Sequence, residues 1–369
     1  MVVDFALYLH ALGWSTVAIG GLLAAGGLVG AILSVFVGVA SDQFGCKRFI
    51  LGYEALTAAS AVAALFTANG ILLSIASIVA SFGRGQQGGA GPFGPAEQAW
   101  LSRTIPVDQR GMAFSLNSAL AFGGLGIGAL LGGLPDILRQ GLAGSLAFRP
   151  IFLLIMLGSV INFPLILGLD ETHKSLPKLS NGGGAQRNGQ IDSLTRKENL
   201  NLAKLATANV TNGLAVGLTG PLMSVWFAQR FGVTPSAIGG LMGASFLATA
   251  VANLTTGHLS RRLGVVRSVV WLRLSGVLFL AIIPLMPSFL LASLAYFFRS
   301  ALSRGSAGAR QAVGISLARD ARSGLASSLN IVSMRLPASL GPTIAGYFIQ
   351  EGNLGIPLFL AAGLNWYTL

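Results

Sequence analysis

Arg84, Arg299, Arg304 and Arg335 stand deep inside long apolar stretches of the sequence. A guanidinium stays charged at any working pH, and placing one at the centre of a bilayer costs at least ~2.5–3.5 kcal/mol even on lenient insertion scales. Such residues line a cavity or an ion path, or they are held by a structural pair or by carbonyls exposed beside glycines; both readings stay open for each of the four. Gln87, Asn117, Asn209, Asn212 and Asn330 are further polar groups at comparable positions, suited either to hydrogen-bonding inside a cavity or to gluing one helix to the next. The residues do not support covalent or metal chemistry. His10, His173 and His258 are scattered, Cys46 is alone, and "GGGAQRNG" lacks the lysine and helix start of a phosphate loop. They give no metal site, no Cys–His dyad and no ATP site, so the expectation is a non-enzyme without cofactor.

The elements that must position these groups are transmembrane helices. The chain has 53% hydrophobic and only 10% charged residues, far below the quarter or so of a soluble domain, and a mean hydropathy of +0.71. Uncharged runs of ~20 residues, enough to cross the hydrocarbon as helix, recur along its length. A β-barrel is excluded because its strands would alternate polar and apolar residues. The expected spans are a remnant of helix 1 near 1–11, then 16–41, 49–67, 71–101, 111–134, 149–168, 200–228, 236–259, 267–286, 288–316, 323–349 and 354–369. The connections after helices 2, 4, 6, 8 and 10 carry fifteen Lys and Arg, whereas the opposite side carries only Arg139, Arg149 and Arg230. That bias places the first side in the cytoplasm. It also explains the net charge of +12 without nucleic acid: the partner is the lipid bilayer, here the plasma (inner) membrane. Trp14, Trp100, Trp226 and Trp271 lie near span ends, where an aromatic belt forms.

The chain divides into halves: 1–168, a polar linker over 169–199 with "SNGGGAQRNGQ" at its centre, and 200–369. The linker reads as a flexible cytoplasmic loop. "GWSTVAIGGLLAA" at 13–25 repeats as "GVTPSAIGGLMGA" at 232–244, a shift of 219 (232−13). "EQAWLSRTIPVDQRGMAFSLNSA" at 97–119 repeats as "RQAVGISLARDARSGLASSLNIV" at 310–332, a shift of 213 (310−97). An even number of helices per half makes these parallel repeats about an axis along the membrane normal. By the same alignment helix 1 lacks its start and helix 12 is too short to span, so the fragment is expected to be trimmed at both ends. The fold class is therefore an all-α membrane protein of two six-helix bundles, with helices 1 and 12 incomplete.

A second cluster lies in the gap between helices 2 and 3, in "GVASDQFGCKRF" at 38–49. Asp42 sits at the C-terminal end of helix 2, where the macrodipole is negative, and Lys47 and Arg48 sit at the positive N-terminal end of helix 3. Capping of their own helices explains neither. The cations have a sufficient role as positive-inside anchors for lipid headgroups. Asp42 needs a partner elsewhere, such as the N-terminus of helix 11, or serves the local turn. The repeat also inverts charge: Asp42 maps onto Arg261, Glu54 onto Arg273 and Glu97 onto Arg310. Glu97 and Arg310 could close a salt bridge near the central axis, while Glu54 and Arg273 are expected to find local partners or to snorkel.

Gly38-x-x-x-Asp42-x-x-Gly45-x-Lys47-Arg48 resembles motif A of the major facilitator superfamily, and "GHLSRRLGVVR" between helices 8 and 9 resembles its degenerate copy. "RGQQG" in helix 4 matches that family's Arg-x-x-Gln-Gly pattern at Arg84, Gln87 and Gly88. In helix 5, "GLGIGALLGG" is similar to the antiporter motif at Gly124, Gly128, Gly132 and Gly133, with Ala129 where proline is usual; helix 11 repeats the pattern at Gly341, Pro342 and Gly346. Cys46 stands where motif A usually has a basic residue.

The resemblance implies a secondary transporter working by alternating access, its cavity bounded by helices 1, 4, 7 and 10. The cavity is expected to be lined by Asp4, Arg84, Gln87, Asn117, Asn209, Asn212, Arg299, Arg304, Asn330 and Arg335, and to be net positive. A cytoplasmic gate is expected at Gly38, Asp42, Gly45, Lys47, Arg48, Glu97, Arg110, Arg261 and Arg310. The glycines of helices 5 and 11 would let backbones approach, either for sliding or for static packing. The favoured function is proton-coupled efflux of a small organic molecule by a monomer. A proton symporter for an organic anion, and an inactive remnant or membrane scaffold, are the alternatives.

Overall fold

The computed structural model describes residues 4–80, 82, 91–106, 109–138, 144–171, 185–263, 265–305, 307 and 323–367. The first half is built from α1 (Asp4–Ala11), α2 (Thr16–Phe44), α3 (Cys46–Phe66), α4 (Gly70–Ala80), α5 (Gly94–Thr104), α6 (Arg110–Leu131), the short α7 (Leu134–Leu138), a 3-10 turn (Gly144–Phe148) and α8 (Arg149–Leu167). The second half has α9 (Ala185–Thr219), α10 (Met223–Phe231), α11 (Pro235–Leu263), α12 (Val265–Ile282), α13 (Phe289–Arg299), a π-helical turn (Ser300–Arg304), α14 (Ser323–Gln350) and α15 (Ile356–Tyr367). No strand occurs among the described residues. Six of the described helices are long and apolar enough to cross a membrane. Large apolar side chains such as Phe36, Phe66 and Leu120 are exposed on them, as a lipid-facing surface requires.

Local chemistry fixes the helix ends. The Ser15 and Ser288 side chains accept from the backbone N–H groups of Ala18 (3.2 Å) and Leu291 (3.5 Å) and start α2 and α13, which satisfies one orphan donor at each start. The repeat is visible in backbone geometry. Gly13 (φ +87°) and Gly232 (φ +64°), 219 residues apart, both take the left-handed conformation before a long helix, a conformation that penalises a Cβ. The same shift carries Met223–Phe231, the whole of α10, onto 4–12 (223−219 and 231−219), where α1 lies.

Three expected spans are discontinuous. The span at 71–101 is divided into α4 and α5; the span at 200–228 breaks at Gly220–Leu222 between α9 and α10, where Pro221 has no N–H to give. The span at 288–316 opens into a π turn after Arg299. The linker expected to be a loop over 169–199 is helical from Ala185, as the N-terminal part of α9; Gln, Arg, Leu, Lys and Glu in that stretch are good helix formers.

The cores are aromatic toward the end of the molecule that holds few cations. Tyr8 packs edge-on to Phe152, and Phe5 edge-on to Phe82, in the first half. In the second, Phe227 packs edge-on to Trp226, Phe289 and Tyr296. The buried Trp226 indole N–H donates to the Leu354 carbonyl at 2.7 Å. The two bundles meet along two seams, α2 on α14 and α6 on α11.

Candidate functional site

At the cation-rich end, the gap between α2 and α3 is a single residue, Gly45, at φ +90°. The Glu171 carboxylate, just beyond α8, accepts from the backbone N–H groups of both Cys46 and Lys47, the latter at 3.2 Å. In return the Lys47 ammonium donates to the carbonyls of Leu167 (2.8 Å) and Leu169 (2.7 Å) at the end of α8. Each helix end therefore receives the charge that its own sequence withholds. Beside the anchoring role expected of it, Lys47 thus caps a helix 120 residues away in sequence. Arg48 is exposed and Cys46 fully buried. Gly38 faces the Pro95 ring at ordinary contact distance. Glu97 accepts from the Asn117 side-chain amide at 3.1 Å, joining α5 to α6. The side chains of Asp42, Arg110 and Arg261, and Arg310 as a whole, lie outside the described residues.

At the opposite end the seams are built on glycines. A Cβ on Gly20 would run into the Pro342 carbonyl, and one on Gly346 into the Thr16 carbonyl. The Thr16 hydroxyl donates to the Gly346 carbonyl at 3.2 Å. On the other seam Gly126 lies against Leu247 and the Gly243 carbonyl, Gly239 against the Ala129 carbonyl, and Gly133 against Ser236. Two glycines of the expected helix 5 motif are not part of this contact: a Cβ on Gly124 or Gly128 meets nothing within 4 Å. At 100° per residue they project from the side of α6 opposite Gly126, which the motif reading missed. Gly132 is the C-cap of α6. Gly341 packs against Gly217 within the second half. The Asp136 carboxylate on α7 accepts from the Ser236 backbone N–H at 2.6 Å, at the second residue of α11. One half thus caps a helix of the other. Sequence spacing gave no sign of this pair, which is 100 residues apart.

Between the two ends, the structure divides the deep polar residues into those that join helices of one bundle and those that face the other. Asn209 donates to the Ser333 hydroxyl (3.4 Å), and Asn212 accepts from Arg273 (3.1 Å). With Asn117 on Glu97, all three asparagines bond within their own half. Glu54 accepts from Asn162 at 3.5 Å, so it and Arg273 both have local partners. Arg335 on α14 crosses the interface to the Ser34 hydroxyl on α2, with Gly94 beside it. Arg299 is 8% exposed, and its guanidinium donates to the Thr219 hydroxyl at 3.0 Å. In both cases the hydroxyl donates back to its own helix, Ser34 to Gly30 and Thr219 to Ala215, which leaves its lone pair for the arginine. The Arg304 guanidinium lies 5.5 Å from the Phe246 ring centroid, a cation–π distance. Phe246 stacks at 6.4 Å on Phe122 of the first half. Asn253 donates to the Arg304 carbonyl at 3.3 Å, satisfying a backbone group in the π turn. Arg84 and Gln87, and the side chains of Asp4 and Asn330, lie outside the described residues.

The family model for the Major Facilitator Superfamily matches residues 2–200 and 205–365. Among solved structures, a variant of the nucleoside transporter NupG is similar with a TM-score of 0.68 and 11% identity, over 100% of this chain and 93% of that one. The human organic anion transporter MFSD10 (TETRAN) is similar with a TM-score of 0.62 and 13% identity, over 95% of this chain and 83% of that one. No curated protein matches in sequence. At such identities the likeness to solved structures shows the fold, while the family model spans nearly the whole chain. Two helical bundles meeting on glycine seams around buried arginines thus have a name: the chain belongs to the Major Facilitator Superfamily, a family of secondary transporters.

Proposed function

We propose that this protein moves a small organic solute across the membrane by alternating access, and that the arrangement described is the one shut on the outer side. The carrying observation is the seal at the cation-poor end. Two glycine seams and the Asp136–Ser236 bond join the halves there, and no covalent link holds them. The positive-inside bias supports reading that end as the outer one. Rocking of one bundle against the other would open it.

Proton-coupled efflux is the first reading of the driving force, resting on the helix 4 and helix 5 patterns at Arg84, Gln87, Gly132 and Gly133. Proton-coupled uptake of an organic anion is the second. It is favoured by the burial of Arg299 beside Arg304, since none of the described contacts of Arg299 is a carboxylate. The cytoplasmic gate would combine Asp42, Glu97, Arg110, Arg261 and Arg310 with the Lys47–Glu171 caps. Purified protein in vesicles, screened with added solutes while internal pH is recorded, tests the proposal. Solute-driven proton movement is expected, and its direction separates antiport from symport. A chain that binds solutes but moves neither solute nor proton would instead be a membrane scaffold.

A further inference from the structure

Two helix discontinuities of the second half fall side by side. The break at Gly220–Leu222 follows Thr219, the last residue of α9, and the π turn follows Arg299, the last residue of α13. The Arg299–Thr219 hydrogen bond ties them together. Arg299 is the eleventh residue of α13, about 15 Å from that helix's outer end at a ~1.5 Å rise per residue, which is near the bilayer midplane. Broken helices at that depth are where transporters of several folds place their substrates, and π turns recur at functional sites.

Nη1 of Arg299 and the hydroxyls of Ser224, Tyr296 and Ser300 are among the buried polar atoms of these elements that have no hydrogen-bond partner among the described residues. Ser300 follows Tyr296 by one turn, and Tyr296 lies 5.9 Å from the Arg299 guanidinium, ring centroid to Cζ. Phe227, one turn from Ser224, packs on Tyr296 at 5.7 Å. Every one of these atoms can donate, and one belongs to a cation. Buried donors of this kind are almost always matched by an acceptor. Arg304, next along the same helix, adds a second positive charge and reaches Phe246, where the second half touches the first. None of the described residues supplies that acceptor, and these donors beside two cations match an oxyanion.

We propose that Arg299 holds the carboxylate or phosphate of an organic anion through its Nη1, with Tyr296 and Ser300 as further donors, Thr219 fixing the guanidinium plane, and Arg304 adding charge toward the other half. This rests on the transport reading, because the anion is the cargo, and it names the cargo's class.

The test uses the whole chain, purified in detergent, with benzoate and phenyl phosphate as probes and benzamide as the neutral control. Thermal unfolding is followed against probe concentration. At least one anion is expected to raise the melting temperature saturably, while benzamide does not. Arg299→Gln is expected to weaken that anion about tenfold or more, as loss of a charged hydrogen bond does; Thr219→Val should weaken it less. Equal effects of anions and benzamide, or no anion effect, on the unsubstituted chain would overturn the subsite without any variant. Unchanged anion affinity in folded Arg299→Gln would overturn it too. Should Arg299→Gln fail to fold, Arg299→Lys keeps the charge and loses the planar fork, and it must weaken the anion several-fold while leaving benzamide alone. Arg299-dependent binding without flux in vesicles would leave the subsite standing and sink the transport reading. Flux of a neutral solute indifferent to Arg299→Gln would do the reverse.

Discussion

Lys47 and Glu171 never need to touch each other to act together. Glu171 serves the N-terminus of α3 and Lys47 the C-terminus of α8, each charge matched to a helix dipole. Glu171→Gln or Lys47→Met is expected to lower stability by about 1–2 kcal/mol, read as a lower melting temperature in detergent. The double reversal Lys47→Glu with Glu171→Lys is expected to be worse than either single change, because it sets both charges against the dipoles they now stabilise. Rescue by the double reversal would mean that the two side chains simply form an ion pair. The sequence shows that the cations between helices 2 and 3 sit at the wrong end of their own helix, and that part of the reading stands. Their partner was illegible because it lies more than a hundred residues away, and a macrodipole leaves no mark on composition. Local hydrogen bonding was easier to foresee: Glu54 and Arg273 have nearby asparagine partners, as expected of both.

Which face of a helix carries its glycines decides what a methyl group does there. Gly126 meets Leu247 and the Gly243 carbonyl of α11, and Gly124 and Gly128 meet nothing. Gly126→Val is therefore expected to force the α6–α11 seam apart, costing about 1–3 kcal/mol as overpacking does, and to reduce solute flux strongly. Gly124→Ala should leave both melting temperature and flux close to those of the unsubstituted protein. Similar losses at the two positions would remove the assignment of the seam to one face of α6. The six long apolar helices were readable from hydropathy, because a bilayer imposes length and apolarity on every crossing helix. The interruptions were not. A broken helix and a continuous one have the same hydropathy, and the π turn at Ser300–Arg304 receives the Asn253 amide of α11, a tertiary contact. The glycine motif of helix 5 marked the right helix and only partly the right face.

The halves are joined at the cation-poor end by contacts that must part if the molecule alternates. A Cβ built on Gly133 lies 3.4 Å from the Ser236 Cα, close enough for a disulfide with small adjustment. The only cysteine of the chain is fully buried, so Gly133→Cys with Ser236→Cys gives a clean pair. Oxidation is expected to abolish flux and reduction to restore it; flux that persists through complete crosslinking would rule out parting of the halves at this seam. Asp136→Asn leaves the helix start an acceptor and removes the charge. It is expected to weaken the seal, read as faster labelling of the single Gly133→Cys variant. The Asp136–Ser236 bond also bears on time. A hydrogen bond from a helix-start N–H to a carboxylate contributes about 1.5–3 kcal/mol, a factor of roughly ten to 150 in an equilibrium. A carrier that spends that much longer closed between cycles leaks less through its empty state, and removing one carboxyl oxygen's charge should make idle turnovers more frequent. On the proposed alternating access, Asp136 is expected to set the resting tempo of the carrier from a five-residue helix at the outer seam.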